Sequence, residues 1–229
     1  MCLVVLIACE CSQTVCGEFR SLGDECYSCD VVDQYGGHPE WHIKCDVLDI
    51  LHGGCSFRTM DGLQHTIDKW DLIIAHPPCT YLSRAQMNLY DRNRLGDERV
   101  DRRIAQRNKA IEFFMQFTET GVPTVIENPV GYMSTHYRKP DQVVEPYDFG
   151  DPATKKTCLW LFGLPKLQLG PIVDKPKVHH FPHSNSMGDW FYKTSCLPAK
   201  DRARERSKTF PGIARAIAKQ YHRFLTLFV

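Results

Sequence analysis

The sequence predicts an α/β fold built on a mostly parallel sheet flanked by helices. Over the first 130 residues short apolar runs alternate with helical patterns, and each run is followed by an acidic or reactive residue. A length of 229 residues suits one packed domain with small additions. With 43% hydrophobic and 24% charged residues the chain is not a disordered segment, and 28 basic against 27 acidic side chains exclude an all-over basic nucleic-acid wrapper.

Residues 3–8 read as a buried strand, after which Val15, Phe19 and Leu22 repeat at helical spacing and Gly23 caps the turn. Further strands are expected at 26–30, near 43–45, at 71–75 and at 124–126. Between the last two, Ile104, Ile111, Phe114 and Phe117 share one face of a helix over 99–118, closed by Gly121 and Pro123. Past residue 130 prolines become frequent and one strand stands out, at 158–162. Ile213, Ile217, Tyr221 and Leu225 then describe an amphipathic helix headed by Pro211 and Gly212. The chain is read as a core over 1–163, a small loop-rich insertion over 164–204, and a C-terminal helix within 205–229 that packs back on the core.

Eleven cysteines, with no signal peptide and no apolar run near the ~20 residues that span a bilayer, point to a reducing, cytoplasmic setting. Most thiols are expected to be free and buried as small hydrophobes. The net charge of +1 hides an asymmetry: residues 1–198 hold 20 basic and 25 acidic side chains, a balance of −5, whereas 199–229 hold 8 and 2, a balance of +6. The basic end, from Lys200 to Lys208, suits a phosphate backbone, and no obligate protein partner is indicated.

In open parallel sheets ligands bind beyond the carboxyl ends of the strands. There the sequence places Cys9, Glu10, Cys11 and Ser12 after the first run, Asp30 after the second and Asp46 after the third. His76, Pro77, Pro78 and Cys79 follow the fourth run, and Glu127 and Asn128 the fifth. A carboxylate such as Asp30 at the second strand end suits ribose hydroxyls. The first loop has no Gly-x-Gly-x-x-Gly, so a nucleoside without a pyrophosphate fits better than a dinucleotide. Pro77 and Pro78 fix the backbone directly after a buried strand and present the Cys79 thiol at a rigid point, which makes it a candidate nucleophile.

These residues resemble the cytosine-5 DNA methyltransferase family, whose nucleophile loop commonly reads Gly-Gly-Pro-Pro-Cys-Gln-Gly-Phe-Ser. Pro77, Pro78, Cys79 and Ser83 match it, while His76 and Thr80 depart from it. Glu127-Asn128-Pro129 looks like the family's Glu-Asn-Val, and Thr154-Lys155-Lys156-Thr157 is similar to its Gln-x-Arg-x-Arg segment. The run from Phe210 to Ala218 is similar to its closing Val-Pro-Pro and helix. Residues 9–14 stand where the family has Phe-x-Gly-x-Gly-Gly, and 164–204 is shorter than its usual target-recognition domain.

The resemblance implies a Rossmann-like S-adenosylmethionine-dependent methyltransferase fold that moves a methyl group to carbon 5 of cytosine in single- or double-stranded DNA. It implies a Cys79 thiolate that adds to carbon 6, Glu127 at ring nitrogen 3, Asn128 positioning Glu127, and Ser83, Lys155 and Lys156 holding the base or its phosphate. S-adenosylmethionine is expected along Ala8, Cys9, Glu10, Cys11 and Ser12 and against Pro77 and Pro78, with Asp30 at its ribose and Asp46 near its adenine. No metal is expected.

The same mechanism on RNA or a free nucleotide is the nearest alternative. An amino methyltransferase has Asp, Asn or Ser before its two prolines and an aromatic residue after them, where this chain has His76 and Cys79. A metal or redox module would use Cys26 and Cys29, or His179, His180 and His183 with Cys196. Against the first pair, both cysteines lie in one expected strand, where they face opposite sides. A cofactor-binding or nucleic-acid-binding protein without catalysis is the remaining alternative, and the presence of both Cys79 and Glu127 argues against it.

Overall fold

The structure, a computed structural model, describes residues 2–171, 173–179 and 187–227. The strands are β1 (Val4–Ala8), β2 (Glu25–Asp30), β3 (His42–Lys44), β4 (Cys55–Arg58), β5 (Gln64–Ile67), β6 (Leu72–Ala75), β7 (Thr124–Pro129), β8 (Gln142–Val144), β9 (Thr157–Phe162), β10 (Val178–His179) and β11 (Met187–Gly188). The helices are α1 (Thr14–Ser21), α2 (Arg92–Leu95), α3 (Asp97–Gln116), α4 (Met133–His136), α5 (Asp189–Ser195), α6 (Ala199–Ser207) and α7 (Pro211–Leu227).

Seven strands form one sheet in the order β3-β2-β1-β6-β7-β9-β8. The first five are parallel, and β9 runs antiparallel to both β7 and β8. The chain steps outward from β1 to β3 on one side, then returns to β6 on the other. The carboxyl ends of β1 and β6 therefore flank a switch point, where an open α/β sheet leaves a crevice. Residues 9–12 form one lip of it and residues 76–79 the other.

Alternation along β1 sends its side chains to two cores. Val5 and Ile7 meet Val15 and Phe19 of α1 and Ile213, Ile217 and Tyr221 of α7, while Leu6 joins Phe114 of α3, Phe117 just past its end, Trp160 of β9 and the β4–β5 hairpin residue Phe57. Each such side chain contributes about 1.5–3 kcal/mol by leaving water. Cys26 and Cys29 fall in opposite cores, as their places in one strand require. A buried carboxylate adds a polar tie: Asp24 accepts from the Leu3 amide at 3.0 Å and holds His222 Nδ1 of α7 at 2.8 Å.

The expected strands and the long helix are present, with α3 starting two residues earlier, at Asp97. The expectation of a loop-rich stretch over 164–204 is corrected, because α5 and α6 lie there and α6 runs through residue 204 to Ser207. Apolar periodicity had no signal to offer: α6 buries no residue and α5 only Thr194. Polar bonds hold the two together, with the Arg206 guanidinium donating to Phe191 O at 3.0 Å and to Ser195 Oγ at 2.8 Å. His180 and His183 lie outside the described residues, and His179 pairs with Asp189 at 2.9 Å. Among the described residues no helix is long and apolar enough to cross a membrane, and no cluster of three His, Cys, Asp or Glu side chains suits a metal ion.

Helix α7 enters its groove through Gly212, whose amide donates to Asp151 Oδ2 at 2.7 Å. A Cβ at this position would overlap the Phe149 carbonyl oxygen. Gly212→Ala is expected to cost about 1–3 kcal/mol of stability, read as a fall in thermal midpoint of about 2–4 °C per kcal/mol. A midpoint equal to the wild type would contradict this packing.

Candidate active site

The crevice opens into a cavity of about 430 Å³, within the roughly 300–1,000 Å³ of small-molecule sites. Its first wall is the loop after β1. Cys9 (φ 60°) and Gln13 (φ 59°) both adopt the left-handed conformation usually left to glycine, at a cost of about 1–2 kcal/mol each. The Gln13 side chain offsets this by donating to His38 O at 2.7 Å and accepting from the His38 amide at 3.1 Å. Glu10 lines the cavity, but its carboxylate serves the fold. It accepts from the Val15 amide at 2.8 Å, the Cys16 amide at 3.2 Å and Ser12 Oγ at 3.0 Å, neutralising the amino end of α1.

The second wall joins two strand ends. His76 extends the ladder of β1 by donating its amide to Ala8 O at 2.9 Å, and Pro77 and Pro78 follow. The chain then turns at Cys79, whose carbonyl accepts from the Leu82 and Ser83 amides at 3.0 and 2.9 Å. Asn128 Nδ2 of β7 donates to Pro77 O at 2.7 Å. Beyond it the Tyr132 amide donates to Leu82 O at 2.7 Å and the Arg84 amide to Val130 O at 3.1 Å. Gly131 sits in this stitch, where a Cβ would overlap the Leu82 carbonyl oxygen. The loop that carries Cys79 and the end of β7 that carries Glu127 are therefore one rigid unit.

At its centre, His76 Nδ1 lies 2.7 Å from Glu127 Oε2, with both side chains 11% exposed. Burial works against charge on His76, yet the hydrogen bond and charge of Glu127 outweigh it and hold the imidazole above its ordinary 6.5. Burial likewise opposes the Glu127 carboxylate, but His76 and then Lys155 hold it below its ordinary 4.5. Each group thus favours the charged form of the other. His76 Nε2 is buried with no hydrogen-bond partner among the described residues, and His76 lines the cavity. Burial and the Glu127 charge push the Cys79 thiol up, and Lys155 acts against them. Burial and the charges of Asp30 and Asp46 push Cys9 up further, so Cys9 is a neutral wall residue.

Cys79, Glu127, Asn128, Pro77 and Pro78 line the one cavity, as do Cys9, Glu10, Cys11, Ser12, Asp30 and Lys155. Ala8, Asp46, Ser83 and Lys156, all expected at the site, lie outside it. Ala8 is a fully buried strand residue. Asp46 is exposed and caps a 3-10 turn through the Leu48 amide, and Ser83 caps the next one through the Ala85 amide at 3.3 Å. Lys156 is exposed one position past Lys155. The roof was absent from the sequence reading: Ala203, Arg206, Ser207 and Thr209 cover the cavity, and Lys155 Nζ ties them down by donating to Arg206 O at 3.1 Å and Lys208 O at 3.0 Å. His76 was visible only as a departure from the nucleophile motif.

The pair has a pH signature. The pKa of His76 is higher folded than unfolded, so its share of stability is complete below about 6.5 and is lost as pH rises through the folded value. The pKa of Glu127 is lower folded, so its share is complete above about 4.5 and is lost as pH falls through the folded value. The stability gap between wild type and Glu127→Gln, measured by thermal unfolding from pH 3 to 9, is expected to be widest between these two values. A gap that does not change with pH would contradict the ion pair.

A scan against protein-family models and a search of curated proteins find no match to this chain.

Proposed function

We propose that the protein transfers a methyl group from S-adenosylmethionine to carbon 5 of cytosine in a nucleic acid, through a transient covalent bond to Cys79. The observation that carries this reading is the meeting of Cys79 and Glu127 in one cavity at the carboxyl ends of β6 and β7, with Asn128 bonded back to the Pro77 carbonyl.

Carbon 5 of cytosine is a poor nucleophile until a thiolate adds to carbon 6, and that addition needs a proton or hydrogen bond at ring nitrogen 3. Cys79 is the thiolate source. Burial and the Glu127 charge raise its pKa in the free protein, so it rests as a thiol; as the base enters, its proton passes to solvent and the nearby Lys155 charge favours the thiolate. Glu127 faces nitrogen 3. Its Oε2 is held by His76, and the imidazolium stores a proton that returns through Nδ1 as the carboxyl gives one to the ring. After carbon 5 has gained the methyl group it loses its proton to solvent, Cys79 leaves from carbon 6 as the thiolate, and the proton on ring nitrogen 3 returns through Glu127 to His76.

The first wall fits the cofactor by its chemistry. Cys9, Glu10, Cys11 and Ser12 carry no cation that would repel a sulfonium, and Asp30 stands at the cavity edge for ribose hydroxyls. When bound, S-adenosylmethionine supplies the electrophilic methyl group; Pro77, Pro78 and the neutral thiols of this wall exclude water from it.

Replacing the hydrogen at carbon 5 by fluorine blocks the final proton loss and leaves the covalent bond in place. An oligonucleotide with 5-fluorocytosine and S-adenosylmethionine is expected to give an adduct with the wild type and none with Cys79→Ala, read on a denaturing gel. Adduct persisting in Cys79→Ala would overturn the assignment. DNA, RNA and free cytidine nucleotide arms of this assay identify the substrate.

A further inference from the structure

Helix α3 carries Arg99, Arg103 and Arg107 at i, i+4 and i+8, one stripe of like charge about 12 Å long. Such neighbours destabilise a helix by about 0.2–0.5 kcal/mol per pair unless an opposite charge answers them. No acidic side chain does so among the described residues. Three of the four acidic groups of α3 are engaged elsewhere, Asp97 and Asp101 with Arg92 at 2.9 and 2.6 Å and Glu98 with Arg102 at 3.7 Å, and the fourth, Glu112, forms no ion pair with the stripe.

Aromatic rings hold the stripe in place instead. Arg103 lies over Tyr81 at 5.0 Å and Tyr90 at 5.2 Å, and Arg107 over Tyr90 at 4.5 Å and Tyr132 at 4.3 Å. The Nε atoms of Arg103 and Arg107 are buried without a hydrogen-bond partner among the described residues. Stacking fixes the plane of a guanidinium and leaves donors on its edge for an anion. The outer end of the stripe opens into a second cavity of about 330 Å³, lined by Tyr81, Arg99, Arg102, Arg103 and Gln106 among others. The two cavities share a stretch of chain, because Thr80 lines the first and its neighbour Tyr81 the second. Arg103 Nη2 also donates to Thr80 O at 3.4 Å.

We propose that this arginine-lined cavity binds the phosphodiester beside the target nucleotide, so that the substrate is a nucleic-acid strand and not a free nucleotide. It rests on the proposed function only for the identity of the base in the first cavity. The stripe is longer than one phosphate group and suits successive phosphates of a strand, each met by charge-assisted bonds from guanidinium edges. The basic end of the chain is less available for this role. Arg202 and Arg206 donate to protein oxygens, Lys208 pairs with Glu205 at 2.6 Å, and Arg204 stacks on Tyr35 at 3.8 Å.

The test is binding of a fluorescein-labelled single-stranded 12-nucleotide DNA containing one cytosine, followed by anisotropy between 50 and 200 mM salt, with dCMP as competitor. The wild type is expected to bind the strand at least tenfold more tightly than dCMP. Arg99→Gln/Arg102→Gln, two changes at exposed positions, is expected to weaken the strand at least tenfold and to reduce the slope of log K against log salt by about 1.4, from about 0.7 for each lost phosphate contact. Arg99→Lys/Arg102→Lys, which keeps the charge, is expected to restore most of the slope. Unchanged strand affinity and slope in the glutamine variant, or dCMP binding as tightly as the strand, would overturn the proposal. S-adenosylmethionine titration by calorimetry on the same samples separates the two ideas. Arginine-dependent strand binding without cofactor heat leaves this site standing and removes the methyl-transfer reading, and cofactor heat with arginine-independent strand binding does the reverse.

Discussion

The 2.7 Å contact between His76 and Glu127 is the constraint on which the site depends. It joins residues 51 positions apart, at the ends of two adjacent parallel strands, in a place too dry for either charge alone. Because each group favours the other's charged form, the loop after β6 and the carboxyl end of β7 must keep their mutual position. Asn128 to Pro77 O and the close approach at Gly131 make that position stiff. The Cys79 thiol is therefore held at a fixed place relative to Glu127, the pre-organisation that the proposed addition to a ring carbon would need.

The opposite wall is stiffened by a second buried carboxylate. Glu10 holds the amino end of α1, and the left-handed backbone at Cys9 and Gln13 gives the loop a sharp path without glycine. Gln13 replaces the freedom of glycine with two bonds to the His38 backbone. The roof then belongs to α6, which has no apolar face of its own and stays in place through Arg206, Lys155 and the stacking of Arg204 on Tyr35. A roof made of polar bonds is an element that can open at low cost. The cavity beneath it combines a rigid floor with the least hydrophobic cover in the fold.

Much of the frame was legible in the residue order. Runs such as those of β1 and β6 read as buried strands because every side chain in them is apolar, and α3 and α7 read as helices because their apolar residues recur at helical spacing. The rule that ligands sit past the carboxyl ends of parallel strands then gathered Cys9, Asp30, Cys79 and Glu127 before any coordinates. It failed for Asp46, and the family resemblance failed for Ser83; both cap 3-10 turns locally. The resemblance offered both Lys155 and Lys156, but adjacent residues point in different directions, so Lys155 lines the cavity and Lys156 does not.

Residue order alone carries the α/β class, the strands of the parallel half, the thiol after Pro77 and Pro78, and the asymmetry of charge. These follow from periodicity, proline geometry and composition, all of which act within a few residues of chain. Folding adds the pairing of His76 with Glu127 and of Glu10 with α1, the cover of α6 over the cavity, and the stacking of the α3 arginines on Tyr81, Tyr90 and Tyr132. Each of these is a pairing of polar groups brought together by folding. No local pattern encodes such pairings, because a charge finds its partner through burial and the shape of the sheet, and not through spacing along the chain.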